Sequence, residues 1–285
     1  MVHEHIESTL STFTASDGEN VAVQDWPLPE GAVQRGTIVI VHGLGEHAGR
    51  YERVARRLNT WGFAVRGYDH YGHGESGGVR GGLPVESRLI DDLGDIIDST
   101  RQRMTSGTPL IVLGHSMGGL IAACVAALAQ VRIDGLVLSS PALDAGLSAF
   151  QKLLLATLPR FVPHLTVGNG VDPHYISRDP AVVAAYQADP RVHDRISTRL
   201  ARFIADAGPS VIAHAPGWSV PTLLMYAGSD RLIDPAGSRA FAESAPPGVV
   251  STVCFDTYYH EIFNEPDNER VFDELKRWLD ANFSG

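Results

Sequence analysis

The chain has 285 residues, of which 44% are hydrophobic, and a formal net charge of -10 at pH 7. This length suits one large α/β domain, or a domain that carries an insertion, and the apolar content is enough for a buried core. The acidic balance, without any long basic run, excludes the electrostatic footprint of a nucleic-acid-binding protein, so we expect no nucleic-acid partner.

The N-terminal sequence has neither the positively charged segment nor the apolar segment of a signal peptide, and nowhere do about 18 apolar residues follow one another. We therefore expect a cytoplasmic protein without a signal peptide or a transmembrane segment. The two cysteines, Cys124 and Cys254, lack the spacing of a metal site or a redox pair. Both are predicted to be small core residues.

Two short segments of alternating polarity, 8–14 and 20–26, are joined through a turn at Asp17-Gly18, which predicts an antiparallel hairpin at a sheet edge. Apolar runs typical of buried strands then alternate with helical patterns. The predicted strands are 37–43, 63–69, 110–114, 135–141, 222–228 and 249–255, and the predicted helices are 49–60, 86–103 and one that begins near 266. This alternation predicts an α/β fold with a mostly parallel central sheet of about eight strands, covered by helices on both faces.

The segment 142–217 breaks the alternation, because it contains helical patterns and several prolines but no convincing buried strand. An insertion of this length between two core strands is typical of a helical cap over the carboxyl edge of the sheet, where ligands bind. The predicted division is therefore a core of 1–141 and 218–285 with a cap of 142–217. The alternative is an extension that does not contact the site.

The cap is rich in apolar side chains in a segment with few charges. Two interpretations stay open for them: they line an apolar ligand channel or touch a lipid surface, or they pack the cap on the core. The residues in question are Phe150, Leu153, Leu154, Leu155 and Leu158.

The run LIVLGHSMGG at 110–119 passes from a strand through a sharp turn into a helix, with Ser116 at the apex. A nucleophile on such a turn occupies strained backbone, where side chains on the flanking residues would collide with their neighbours. Glycines at 114 and 118 meet this requirement. The pattern predicts that Ser116 is an exposed nucleophile.

A serine hydroxyl is a poor nucleophile at neutral pH, so it needs a base and an acid that orients the base. In folds with this turn the acid precedes the histidine in the chain, and both follow later strands. Asp230 and His260 each follow a predicted strand, and no other histidine comes after Asp230. Asp234 and Asp256 compete for the acid's role, although Asp234 is better placed to cap the helix that begins at Pro235.

The oxyanion that forms when a serine attacks an ester needs two backbone N–H donors. Met117, directly after the nucleophile, is one candidate, and Leu44, in the glycine-rich turn after the strand 37–43, is the other. The alternative for that turn is a simple connection between strand and helix.

Several histidines lie near Asp69, but their spacing matches no standard set of metal ligands. A serine that is activated by a histidine and an aspartate needs no metal. We therefore predict neither a metal nor a cofactor.

These motifs resemble those of the α/β-hydrolase superfamily, and within it those of the monoacylglycerol lipases. Blocks similar to that family's, in the same order and over most of the chain, are HGLGEHAGRY at 42–51, GYDHYGHGESGG at 67–78, GHSMGG at 114–119, SRDPAVVAAYQADP at 177–190, GSDRLID at 228–234 and YHEIFNE at 259–265. The resemblance implies an α/β-hydrolase fold with a helical cap, and hydrolysis of monoacylglycerol to fatty acid and glycerol.

By the same resemblance, Ser116, Asp230 and His260 match the catalytic triad, and Leu44 and Met117 match the oxyanion donors. Four further residues match positions near the polar end of the substrate pocket: Glu46, Arg50, His115 and Tyr186. For Glu46 and Arg50 the alternative is an ion pair between residues four apart on one helix face.

The partners implied are a small lipid ester as substrate and, through the cap, a lipid surface. Because the same triad serves any acyl ester, a generalist carboxylesterase or a lysophospholipase is an alternative function. A ligand-binding protein without catalytic activity is another.

Overall fold

The computed structural model describes residues 7–15, 17–146 and 148–283. Within these ranges the chain forms ten strands and eight α-helices. The strands are β1 (Thr9–Thr14), β2 (Asn20–Trp26), β3 (Gly36–Val41), β4 (Phe63–Tyr68), β5 (Leu110–His115), β6 (Gly135–Ser139), β7 (Thr166–Gly168), β8 (Arg195–Ser197), β9 (Thr222–Ala227) and β10 (Val250–Phe255). The helices are α1 (Glu52–Thr60), α2 (Arg88–Arg103), α3 (Met117–Leu128), α4 (Ala149–Thr157), α5 (Pro180–Ala188), α6 (Thr198–His214), α7 (Pro235–Ser244) and α8 (Glu269–Asn282).

Eight strands form the central sheet in the order β1-β2-β4-β3-β5-β6-β9-β10. The pairs β1–β2 and β2–β4 are antiparallel, and the other five neighbouring pairs are parallel. The predicted mostly parallel sheet of about eight strands is confirmed. The predicted N-terminal hairpin corresponds to β1 and β2, at the edge of that sheet.

Four neighbouring interior strands, β3, β5, β6 and β9, are buried at every residue, which explains why their sequences are largely continuous apolar runs. Side chains alternate between two apolar clusters, so that Val39 and Val41 contact one while Ile38 and Ile40 contact the other. The first cluster includes buried residues of α2, α3 and α7, and the second includes those of α1 and α8. Helices thus cover both faces of the sheet.

The two cysteines differ in their surroundings. Cys124 is buried in α3, as predicted. Cys254 is exposed, so the prediction that it is a core residue was wrong. The reason is the strand order: β10 lies at the edge of the sheet, and half of its six residues are exposed.

The segment between β6 and β9 contains α4, α5 and α6, which confirms a helical cap inserted between core strands. The short antiparallel ribbon of β7 and β8 was not predicted, since each strand has three residues and β7 is largely exposed. Helix α6 packs on α3 and α7 of the core. Backbone hydrogen bonds also join the cap to the core, among them those from the His193 N–H to the Gly45 oxygen (2.9 Å), from the Ser197 N–H to the Gly81 oxygen (2.7 Å) and from the Glu261 N–H to the Ile176 oxygen (2.7 Å).

The apolar cap residues of α4 and the turn after it have different environments. The side chains of Phe150 and Leu153 lie outside the described part of the structure. Leu154 is 43% exposed, whereas Leu155 and Leu158 are partly buried. Among the described residues, no helix combines the length and apolar character needed to cross a bilayer.

Candidate active site

Ser116 occupies the turn between β5 and α3 with a φ of 54° and a ψ of -121°. A positive φ is strained for a residue with a side chain and persists only where the surroundings enforce it. A Cβ on Gly118 would overlap the carbonyl oxygen of Val41, and one on Gly114 would lie 2.5 Å from the carbonyl oxygen of Gly118. The two glycines therefore allow the tight turn that presents Ser116, as the sequence predicts.

The structure brings Ser116, His260 and Asp230 together in one hydrogen-bonded chain. The Nε2 atom of His260 lies 2.8 Å from the Oγ atom of Ser116, and its Nδ1 atom lies 2.6 Å from Oδ2 of Asp230. Ser116 follows β5, Asp230 follows β9 and His260 follows β10. The carboxyl ends of these three strands lie at one edge of the sheet. Asp230 also accepts the N–H groups of Leu232 and Ile233 through its other oxygen, at 2.9 and 3.1 Å.

The competing carboxylates have other partners. Asp234 caps α7 by accepting the N–H of Ala236 at 2.8 Å, as expected from its position before Pro235. Asp256 accepts the thiol proton of Cys254. Neither carboxylate is hydrogen-bonded to His260, so Asp230 is the one that geometry favours as the acid.

The interaction between His260 and Asp230 determines which of their atoms carry protons. Burial lowers the pKa of His260, but the charge and the hydrogen bond of Asp230 outweigh it, so that the pKa is raised overall. Burial likewise raises the pKa of Asp230, yet His260 and the two N–H donors hold it below its ordinary value. An ionised Asp230 can only accept, so the Nδ1–H of His260 donates to it. The Nε2 lone pair is then free to accept the hydroxyl proton of Ser116.

Leu44 and Met117 both line the cavity beside Ser116. Neither N–H has an acceptor among the described residues. The N–H of Gly43, in contrast, donates to Oε1 of Glu46 at 2.6 Å, which fixes the loop on which Leu44 lies. The arrangement is compatible with Leu44 and Met117 as oxyanion donors, and that role stays a prediction.

Ser116 opens onto a cavity of about 320 Å³. Much of its wall is apolar and comes from the cap and from the loop after β9. These apolar lining residues include Leu155, Val167, Val171, Ile176, Ile196, Ile204, Leu232 and Ile233. The cap therefore contacts the site, against the alternative of an extension remote from it.

Three of the four residues predicted at the polar end of a pocket line this cavity, namely Glu46, His115 and Tyr186. Arg50 does not line it; it borders a separate, much smaller cavity of about 10 Å³ behind Glu46 and His115. Arg50 forms the ion pair with Glu46 that spacing allows, but it also pairs with Glu261. Arg50 lies in the short 3₁₀ turn Ala48–Tyr51 and Glu46 lies just before that turn, so both precede α1.

Two of the polar residues that line the cavity, His115 and Glu46, have shifted pKa values. Burial, together with the neighbouring His260, lowers the pKa of His115 to about 4, so its imidazole is neutral at physiological pH. Its Nδ1 atom lies 3.0 Å from the carbonyl oxygen of Ser139. Burial raises the pKa of Glu46, but Arg50 and other partners lower it below the ordinary value, so Glu46 is ionised.

Sequence reasoning missed Glu261. It lines the cavity directly after His260 and makes a bidentate pair with Arg50. Its place in the block YHEIFNE was the signal that could have singled it out.

The chain matches the family model described as serine aminopeptidase, S33 over residues 32–267. It is 38% identical to a monoacylglycerol lipase of Mycolicibacterium smegmatis over 96% of this chain and 98% of that protein. With a monoglyceride lipase of Homo sapiens it shares 32% identity, over 95% of this chain and 90% of the relative. Among solved structures, a monoacylglycerol lipase of Paleococcus ferrophilus is similar with a TM-score of 0.80 and 33% identity, covering 97% of this chain and all of that one.

Proposed function

The chain belongs to the monoacylglycerol lipase family of the α/β-hydrolase superfamily, and we propose that it hydrolyses monoacylglycerols to free fatty acid and glycerol with Ser116 as nucleophile. The observation that carries this proposal is the hydrogen-bonded chain from Ser116 through His260 to Asp230, at the wall of a largely apolar cavity. In this proposal residues 142–217 form the cap domain and the rest of the chain forms the core.

The first half of the reaction transfers the acyl group to the enzyme. The Oγ atom of Ser116 attacks the ester carbonyl carbon while Nε2 of His260 takes its proton. The N–H groups of Leu44 and Met117 donate to the oxyanion of the tetrahedral intermediate. His260 then gives its proton to the glycerol oxygen as the ester C–O bond breaks, and glycerol leaves.

The second half returns the enzyme to its starting state. A water molecule gives a proton to His260 and attacks the acyl carbon, and the bond to Ser116 breaks as His260 protonates its Oγ atom. The fatty acid then leaves. Throughout, the carboxylate of Asp230 stabilises the imidazolium and holds the ring in the required tautomer.

The lining of the cavity suits the two parts of a monoacylglycerol. Apolar cap residues would surround the acyl chain, and the few polar side chains would receive the glycerol hydroxyls. The neutral His115 keeps an Nε2 lone pair for this, and burial raises the pKa of Tyr186, so its hydroxyl stays protonated and can donate. Glu46 would serve as an acceptor.

The outer surface of the cap supports contact with a lipid surface. Five large apolar side chains of the cap are at least one-third exposed, and Phe161 is 82% exposed. They are Leu154, Phe161, Val162, Leu165 and Val167, of which Val167 also lines the cavity. We expect Phe161→Glu to weaken flotation of the protein with phosphatidylcholine vesicles, because the new charge would have to leave water.

Val33→Glu is the matched control for that experiment, since Val33 is 83% exposed but lies before β3, away from the cap. Equal flotation of the Phe161 variant and the control would refute docking through the cap.

The function itself is tested with a panel of esters that share one fatty acid: mono-, di- and triacylglycerol and a lysophospholipid. We expect the highest kcat/KM for monoacylglycerol, and labelling of Ser116 by a fluorophosphonate. A wide preference for lysophospholipid would favour the alternative hydrolase, and a Ser116 that resists labelling would point to a binding protein.

A further inference from the structure

One guanidinium group lies between the two loops that carry the reactive groups. The side chain of Arg50 makes a bidentate pair with Glu261, at 2.7 and 2.8 Å, and also contacts Glu46. All three side chains are almost fully buried. Arginine suits this position because its planar group offers several donors in fixed directions and stays charged.

Each carboxylate continues the connection to a reactive loop. Oε1 of Glu46 accepts the N–H of Gly43, next to Leu44, and also the hydroxyl of Tyr51 at 2.7 Å. Glu261 directly follows His260, and its Oε2 atom accepts the side-chain amide of Asn264 at 2.7 Å. A path of charged hydrogen bonds therefore runs from the Leu44 loop to the His260 loop, with Arg50 at its centre.

The cap takes part in the same arrangement. The guanidinium of Arg50 lies 4.7 Å from the centre of the Tyr186 ring, which belongs to α5 and lines the cavity. A cation over an aromatic face is attracted to it, more strongly where water is excluded. Arg50 thus contacts the Leu44 loop, the His260 loop and the cap. The cavity is lined by the partners of Arg50 and not by Arg50 itself.

We propose that Arg50 is a positioning residue that ties the loop carrying Leu44 to the loop carrying His260 by binding Glu46 and Glu261 together. Its effect rests on the proposed acyl transfer, because it acts on the placement of the oxyanion donors and the base. This role differs from direct recognition of the glycerol hydroxyls. A positioning residue supports the reaction of any acyl ester, whereas a glycerol contact supports only glycerol esters.

The test compares two esters of the same fatty acid, a monoacylglycerol and a methyl ester, with kcat and KM measured for each. For Arg50→Gln we expect kcat to fall about 10- to 100-fold on both esters, with the KM for the methyl ester little changed, since small displacements of reacting groups cost about this much. Arg50→Lys keeps the charge but loses the fork, so it should recover part of the lost kcat. The reaction of Ser116 with a fluorophosphonate should slow in parallel.

Arg57→Gln is the matched control. Arg57 also makes a bidentate pair, with Glu269 of α8 at 2.7 and 2.8 Å, but at the surface of the molecule. Its loss should leave kcat on both esters at the wild-type value.

A loss confined to the monoacylglycerol, or one expressed mainly in KM, would overturn the proposal and make Arg50 a substrate contact. If Arg50→Gln does not fold, the comparison of the two esters with Arg50→Lys decides in the same way. Should the wild-type protein hydrolyse the methyl ester but no monoacylglycerol, the proposed function would fall, and the methyl ester series would still decide the role of Arg50.

Discussion

Replacing Asp230 by asparagine changes the charge of one buried group and almost none of its shape. One oxygen of Asp230 accepts the N–H groups of Leu232 and Ile233, which an amide oxygen can continue to do. The amide nitrogen is then left facing Nδ1 of His260, where the carboxylate oxygen lies 2.6 Å away in the native protein. Both atoms would be donors unless the ring changes its tautomer.

The ring therefore adopts the tautomer with the proton on Nε2, which points that proton at Ser116 and removes the lone pair that should accept its hydroxyl proton. Loss of this orientation and of the charge that stabilises the imidazolium costs about 10⁴ in kcat in serine proteases, or about 5 kcal/mol of transition-state stabilisation. We expect a loss of this size for Asp230→Asn, with little change in KM.

The assay is the initial rate on a monoacylglycerol, alongside Asp234→Asn as a control. Asp234 carries the same charge four residues away but caps α7, and an asparagine oxygen can accept the same N–H. Its replacement should therefore cost only about 0.3–1 kcal/mol of stability, through the lost charge at the helix N-terminus, and leave kcat intact. A kcat for Asp230→Asn within tenfold of the wild type, or an equal loss in the Asp234 variant, would refute the assignment of the acid.

Three further predictions concern the pH dependence, the serine turn and the cysteines. Asp230 raises the pKa of His260, and only the unprotonated ring can act as a base, so kcat/KM should rise with pH through a midpoint above the ordinary pKa of an imidazole. A midpoint below that pKa would contradict the pairing of His260 with Asp230. Gly118→Ala should lower the free energy of unfolding, measured in urea, by about 1–3 kcal/mol, because the new Cβ would overlap the carbonyl oxygen of Val41, whereas Gly217→Ala, whose Cβ meets no atom within 4 Å, should change it little. Equal effects of the two substitutions would contradict the tight packing of the serine turn. Iodoacetamide should modify the exposed Cys254 and not Cys124, because burial raises the pKa of the Cys124 thiol to about 12. Activity should be retained, since neither cysteine lines the cavity, and modification of Cys124 in the folded protein would contradict its burial.

The features that the sequence predicts well are those with local causes. The middle strands are continuous apolar runs because both faces are covered, and Ser116 is marked by glycines that its turn requires. Asp230 could be preferred over Asp234 because an aspartate directly before a proline at a helix start is typical of a cap.

The features that the sequence did not predict depend on contacts far apart in the chain. The exposure of Cys254 follows from the place of β10 at the sheet edge, which its own residues do not specify. The spacing of Glu46 and Arg50 suggests a pair on one helix face, but the second partner of Arg50, Glu261, lies 211 residues further along. The ribbon of β7 and β8 is too short to leave a periodic pattern.

The most direct test of the central claim is the release of fatty acid and glycerol from a monoacylglycerol by the wild-type protein and by Ser116→Ala at equal concentration. We expect equimolar release of the two products by the wild type, and a rate about 10⁶-fold lower for the variant, the loss expected when a serine nucleophile is removed. Substantial hydrolysis by Ser116→Ala would show that the reaction does not proceed through an acyl group on Ser116.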